Sequence, residues 1–129
     1  MKRNFLIFGG SGFVGTHLSS YLESIGERFL IADLLEPIKK NLPFKITDAR
    51  ERISLDTESY SDTIIVNLAA VHKTPGHASK EYFETNIKGA ENVCDFARDK
   101  NINTIVFTSS IALLLRLVAR IVLQKLQDL

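Results

Sequence analysis

Three observations on the 129-residue chain predict an α/β fold built on a parallel sheet. Five short apolar runs recur along it, two longer segments carry helical periodicity, and a glycine cluster closes the first run where the first helix begins. Strand-length and helix-length segments in this order are the pattern of parallel strands joined by right-handed crossovers. The length fits one domain and leaves little room for a second. With 45% hydrophobic and 24% charged residues, the chain can bury a core and is too apolar for disorder.

The first strand is Asn4-Phe5-Leu6-Ile7-Phe8, too short for a helix and apolar enough to be buried on both faces. From Gly12 the residues Phe13, Val14, His17, Leu18, Tyr21 and Leu22 recur at helical spacing, and Ile25-Gly26 supplies a helix C-terminus. Arg28 to Asp33 is the second strand run. Pro37 and Pro43 bracket a polar connection to a weaker third run near Phe44-Lys45-Ile46-Thr47. Residues 49–62 are polar and poorly periodic, a loop or short helix before the fourth strand, Thr63 to Leu68. From Lys80 to Asp99 a stripe of Phe83, Ile87, Ala90, Val93, Cys94 and Ala97 predicts a helix, and Thr104 to Thr108 a fifth strand. The chain thus divides into 1–112 and a tail, 113–129, in which seven of seventeen residues are leucine against nine in the preceding 112. The tail reads as a basic amphipathic helix with Arg116 and Arg120 on one side. Ile111 to Leu123 is too short and too charged to span a bilayer, which needs ~20 apolar residues.

Sixteen Lys and Arg against fifteen Asp and Glu leave a formal charge of +1, without the basic patch of a nucleic-acid binder. One cysteine, Cys94, excludes an internal disulfide, and the N-terminus begins a strand without a signal-peptide pattern, so the expected location is cytoplasmic. His72 and His77 share a Pro-Gly loop but lack a third ligand, so no metal site is expected.

Gly9-Gly10-Ser11-Gly12-Phe13-Val14-Gly15 lies between strand and helix, where Gly9, Gly12 and Gly15 allow a tight turn, a close phosphate approach and close helix packing. Backbone N–H groups and the positive end of the helix dipole would hold a pyrophosphate there. Glycines also make plain turns; the strand-to-helix context and a downstream acid are what give this cluster meaning. That acid, Asp33, ends the second strand and can accept hydrogen bonds from both hydroxyls of an adenosine ribose. A 2′-phosphate would meet its charge, and the next residue is Leu34 rather than an arginine, which favours NAD over NADP. The fold expected is therefore Rossmann-like.

At these residues the sequence resembles the extended short-chain dehydrogenase/reductase family, the NAD-dependent epimerases and dehydratases of nucleotide sugars. Thr47-Asp48-Ala49-Arg50, Asn67-Leu68-Ala69-Ala70 and the segment Asn86 to Val93 are similar to further motifs of that family, in matching order, and the resemblance covers residues 4 to about 112. It implies that Phe13 and Val14 lie along the pyrophosphate turn, that Asp48 and Ala49 reach the adenine, and that Leu68, Ala69 and Ala70 line the nicotinamide side. It also places Asn86 near the cofactor and Ser110, after the fifth strand, against a substrate hydroxyl or carbonyl. Read without it, Asp48 equally caps a turn and Asn86 is a hydrogen-bonding bridge within a helix.

The family's chemistry also needs a tyrosine with a lysine four positions later, both beyond the serine. Tyr21, Tyr60 and Tyr82 all precede Ser110, and none has that lysine. After Ala112 the resemblance stops. The expectation is the NAD-binding portion of a nucleotide-sugar epimerase or dehydratase, catalytically incomplete as this chain, or a dinucleotide-binding or regulatory module without catalysis. Whether the chain is an enzyme stays open. A nucleotide sugar is the substrate implied, and the tail is a candidate contact for a homo-oligomer.

Overall fold

The computed structural model describes residues 2–56, 60, 62–71 and 78–109. Five strands, β1 (Asn4–Phe8), β2 (Arg28–Asp33), β3 (Phe44–Ile46), β4 (Thr63–Asn67) and β5 (Thr104–Phe107), form one sheet in the order β3-β2-β1-β4-β5. All four pairings are parallel. The fold is Rossmann-like, as the sequence predicts. β1 is central because its whole length is apolar and it pairs on both edges, with Arg28–Ala32 on one side and Thr63–Asn67 on the other. β4 and β5 each end one residue earlier than the periodicity predicts.

Alternation along the strands sends side chains to two cores. Leu6, Phe8, Ala32 and Ile65 join Val93, Phe96 and Ala97 on one face, while Ile7 and Val66 meet Leu22 on the other. Helix α1 (Phe13–Ser24) thus covers one face and helix α3 (Gly89–Asp99) the other, the outcome of right-handed crossovers running in opposite directions from β1 and β4. Each fully buried Leu, Ile or Phe stabilises the fold by roughly 1.5–3 kcal/mol. α1 ends as predicted: Gly26 takes φ +71°, and the Glu27 N–H reaches back to the Leu22 carbonyl at 2.9 Å, satisfying an otherwise orphaned helix-end acceptor.

One expectation is corrected. The helix predicted over 80–99 is not uniform: a short α-helix α2 (Ser79–Tyr82) passes into a π-helical turn, Phe83–Lys88, before α3. The wider turn shifts the register, so Phe83 and Ile87 face outward and Phe96, absent from the predicted stripe, is buried with Gly89, Val93 and Ala97. Of the two alternatives for the crossover after β3, loop or short helix, 49–56 takes the loop. It crosses the α3 face as irregular backbone that buries Ile53 and Leu55, and the Tyr60 hydroxyl donates to the Leu55 carbonyl. The tail, 113–129, lies outside the described residues.

Candidate functional site

The strand order reverses between β1 and β4, and in open α/β sheets ligands settle at the carboxyl ends of the strands flanking such a point. At that edge β1 runs into the glycine turn. Gly9 has φ +71°, its N–H donates to the Ala32 carbonyl at 2.9 Å, and a Cβ there would lie 2.6 Å from the Ala69 nitrogen. A Cβ on Gly15 would come within 2.3 Å of the Gly10 carbonyl oxygen. Both glycines are therefore required by the protein's own packing. Gly12 is not.

At Gly12 the backbone is extended, φ −75° and ψ −177°, a conformation any residue adopts. A Cβ there would meet only the Gly9 carbonyl oxygen at 3.5 Å, an ordinary contact. Gly12 is the N-cap of α1, no side chain caps that helix, and its first turn has no acidic residue. A helix end with N–H groups uncapped by side chains, beside space kept clear of a Cβ, fits an anionic group such as a pyrophosphate. Phe13 and Val14 flank the turn, exposed.

Asp33 stands beside this turn. Its Oδ2 accepts the Ser11 N–H at 2.9 Å and its Oδ1 the Leu34 N–H at 2.7 Å, tying the glycine loop to the end of β2. The Asp33 carbonyl accepts the Thr47 N–H at 2.9 Å, which brings Asp48 and Ala49 to the same edge. The Asp48 carboxylate is gripped by Arg50, whose backbone N–H and Nε reach Oδ1, both at 2.9 Å, and whose Nη2 reaches Oδ2 at 2.6 Å. That side-chain hydrogen bond is the main cause holding the Asp48 carboxyl below its ordinary range, against a smaller upward push from burial.

On the β4 side the Leu68 N–H donates to the Phe8 carbonyl at 2.8 Å, so the exits of β1 and β4 run together. Ala69 packs on Gly9 and the α3-side core, Leu68 turns toward the α1-side core, and Ala70 is exposed. Asn86, in the π-helical turn, makes a double bridge to Val71: its Oδ1 accepts the Val71 N–H at 2.8 Å and its Nδ2 donates to the Val71 carbonyl at 3.1 Å. It fixes the backbone leaving Ala70. Ser110 lies outside the described residues, as do His72 and His77. Ser11, Arg50 and Asn92 also hold this edge and were not singled out from the sequence: Ser11 and Asn92 bond to distant backbone, which carries no local signature, and Arg50 acts through its neighbour Asp48. Among the described residues no group of three or more His, Cys, Asp or Glu could hold a metal, and no helix is long and apolar enough to cross a membrane.

Comparisons with known proteins bear on the fold and the family. Residues 5–114 match the model of the NAD dependent epimerase/dehydratase family. The chain is 33% identical over 114 residues to an N-acetyl-alpha-D-glucosaminyl-diphospho-ditrans,octacis-undecaprenol 4-epimerase of Escherichia coli O157:H7, covering 87% of this chain and 34% of that protein. A UDP-glucose 4-epimerase of Halalkalibacterium halodurans is 28% identical, with 83% of this chain and 34% of the relative covered. Among solved structures, the fold matches UDP-glucose 4-epimerase from Brucella ovis in complex with NAD, TM-score 0.72 at 22% identity, over 85% of this chain and 36% of that one. The chain thus spans about a third of the length of these relatives. By its family match over most of its length, the chain belongs to the NAD dependent epimerase/dehydratase family.

Proposed function

We propose that this chain is the NAD-binding portion of a nucleotide-sugar epimerase/dehydratase-like oxidoreductase, and that as 129 residues it does not complete the chemistry. The observation that carries the reading is Gly12: neither backbone conformation nor packing requires a glycine there, and a bound pyrophosphate does. In this reading Gly9 and Gly15 shape the turn, with Phe13 and Val14 along it. Asp33 accepts the ribose hydroxyls with the acceptor capacity left by the Ser11 and Leu34 N–H groups and by the long, weak contact of the Leu35 N–H at 3.5 Å. Asp48 and Ala49 meet the adenine; Leu68, Ala69 and Ala70 border the nicotinamide; Asn86 holds the backbone beneath it. NAD, when bound, supplies the hydride acceptor and donor. Ser110 would orient a nucleotide-sugar hydroxyl, but no tyrosine–lysine pair follows it to move the proton.

A second reading, resting on the same glycine turn and Asp33, is a module that binds the dinucleotide without turnover. The test of the shared core is calorimetry with NAD and NADP: NAD should bind more tightly, and Asp33→Ala should cost about 1–3 kcal/mol of NAD binding as charge-assisted hydrogen bonds are lost. Equal affinity for both dinucleotides removes the role given to Asp33.

A further inference from the structure

The loop that follows β3 is held from a helix far away in sequence. Asn92, on α3, donates from Nδ2 to the Ala49 carbonyl at 2.9 Å, a partly buried bond spanning 43 residues. One turn earlier on the same helix face, Gly89 is buried against the loop, where a Cβ would lie 3.6 Å from the Ala49 oxygen and 3.7 Å from its Cβ. Ala49 is the middle of a tight turn closed by the Glu51 N–H on the Asp48 carbonyl at 3.2 Å and the Arg50 N–H on Asp48 Oδ1 at 2.9 Å. Three donor groups of Arg50 make four contacts with the Asp48 carboxylate, Nε being shared between Oδ1 at 2.9 Å and Oδ2 at 3.2 Å; set against about four acceptor positions, three N–H donors leave at most about one.

We propose that Asn92 is a positioning residue for the adenine end of the dinucleotide: by anchoring the Ala49 carbonyl to α3, it sets where the Asp48–Ala49 turn presents its remaining acceptor. The proposal rests on the NAD reading of the cleft. Asp48 cannot drift, because Arg50 locks its carboxylate to the turn, and the turn cannot drift, because Asn92 locks it to the helix. An acceptor held in this way suits the exocyclic amino group of adenine. It opposes the carbonyl that replaces that amino group in nicotinamide hypoxanthine dinucleotide.

The experiment compares the full chain with Asn92→Leu, a good helix former that cannot donate, and Asn92→Gln, which restores a donor. Titration with NAD and with the hypoxanthine analogue should show wild type preferring NAD. Asn92→Leu should lose roughly three- to tenfold in NAD affinity, the size of one neutral hydrogen bond, and its preference over the analogue should shrink by the same factor. Asn92→Gln should recover part of both. Amide exchange at residues 47–51, read without ligand, should accelerate in Asn92→Leu more than exchange elsewhere in the sheet. Equal weakening toward both dinucleotides overturns the proposal, as does a loop that stays protected in Asn92→Leu. A loosened loop in a chain that binds no NAD overturns the cofactor reading beneath it.

Discussion

Gly12 and Gly15 sit in one motif for different reasons, and substitution separates them. Gly15 is closed off by the Gly10 backbone, so Gly15→Ala should destabilise the fold by at least 1–3 kcal/mol as an overpacked site, on the order expected for inserted methyl groups. Gly12 faces open space in an extended conformation, so Gly12→Val should cost about 1 kcal/mol or less through its weaker N-cap while abolishing dinucleotide binding. Thermal melts beside calorimetry read both effects; a Gly12→Val chain that still binds NAD reduces the loop to a turn. Asp48 adds a pH signature. Its folded pKa is depressed, chiefly by the Arg50 hydrogen bond, so its stabilisation is fully present above the unfolded value of about 3.9 and is lost as pH falls through the lower folded value. Denaturant titrations should therefore show wild type more stable than Asp48→Asn at pH 7, with the gap closing in acid; a pH-independent gap contradicts the ion pair. Local chemistry made these residues legible in sequence: glycines between strand and helix, an acid at a strand end. Asn92 was not legible, since its partner is a carbonyl 43 residues away.

The strands were readable because burial on both faces leaves unbroken apolar runs, as in Leu6-Ile7-Phe8, each residue of which is buried. The crossover between β3 and β4 was not, since it is a polar segment without a period; among its described residues Ile53 and Leu55 are buried and Tyr60 packs against the same core. Ile53 and Leu55 are nevertheless 8% and 4% exposed, and both belong to the core beneath α3. Leu55→Ala should accordingly cost about 2–5 kcal/mol, as for other buried leucines, and chemical denaturation that shows less than 1 kcal/mol would remove this segment from the core. The π-helical turn escaped for a related reason. Phe83, Ile87 and Ala90 satisfy an α-helical stripe on paper, and only the double bridge from Asn86 to Val71 and the packing of Phe96 against Phe8 and Tyr60 mark where the winding changes.

At the scale of the molecule, the described residues leave apolar surface exposed. β5 is paired on one edge only, and Val106 and Phe107 are 47% and 46% exposed. Val106 pairs with Val66 and so shares the α1-side face, where α1 is the one helix among the described residues. An open strand edge beside exposed apolar side chains is a template for association. Residues 113–129 follow directly and carry seven leucines, so we expect them to cover this surface or to pair it with a second copy. Deleting 113–129 should turn a soluble chain into an aggregating one, visible in sedimentation velocity, whereas equal solubility and stability would make the segment an appendage. Catalysis belongs to the same scale. Positioned proton transfer is worth about 10²–10⁴ in rate, and this chain places no tyrosine–lysine pair after Ser110 to provide it. The purified chain, its mass confirmed through Leu129, should bind NAD stoichiometrically yet turn over no nucleotide sugar; measurable epimerase, dehydratase or reductase activity would mean that another residue moves the proton.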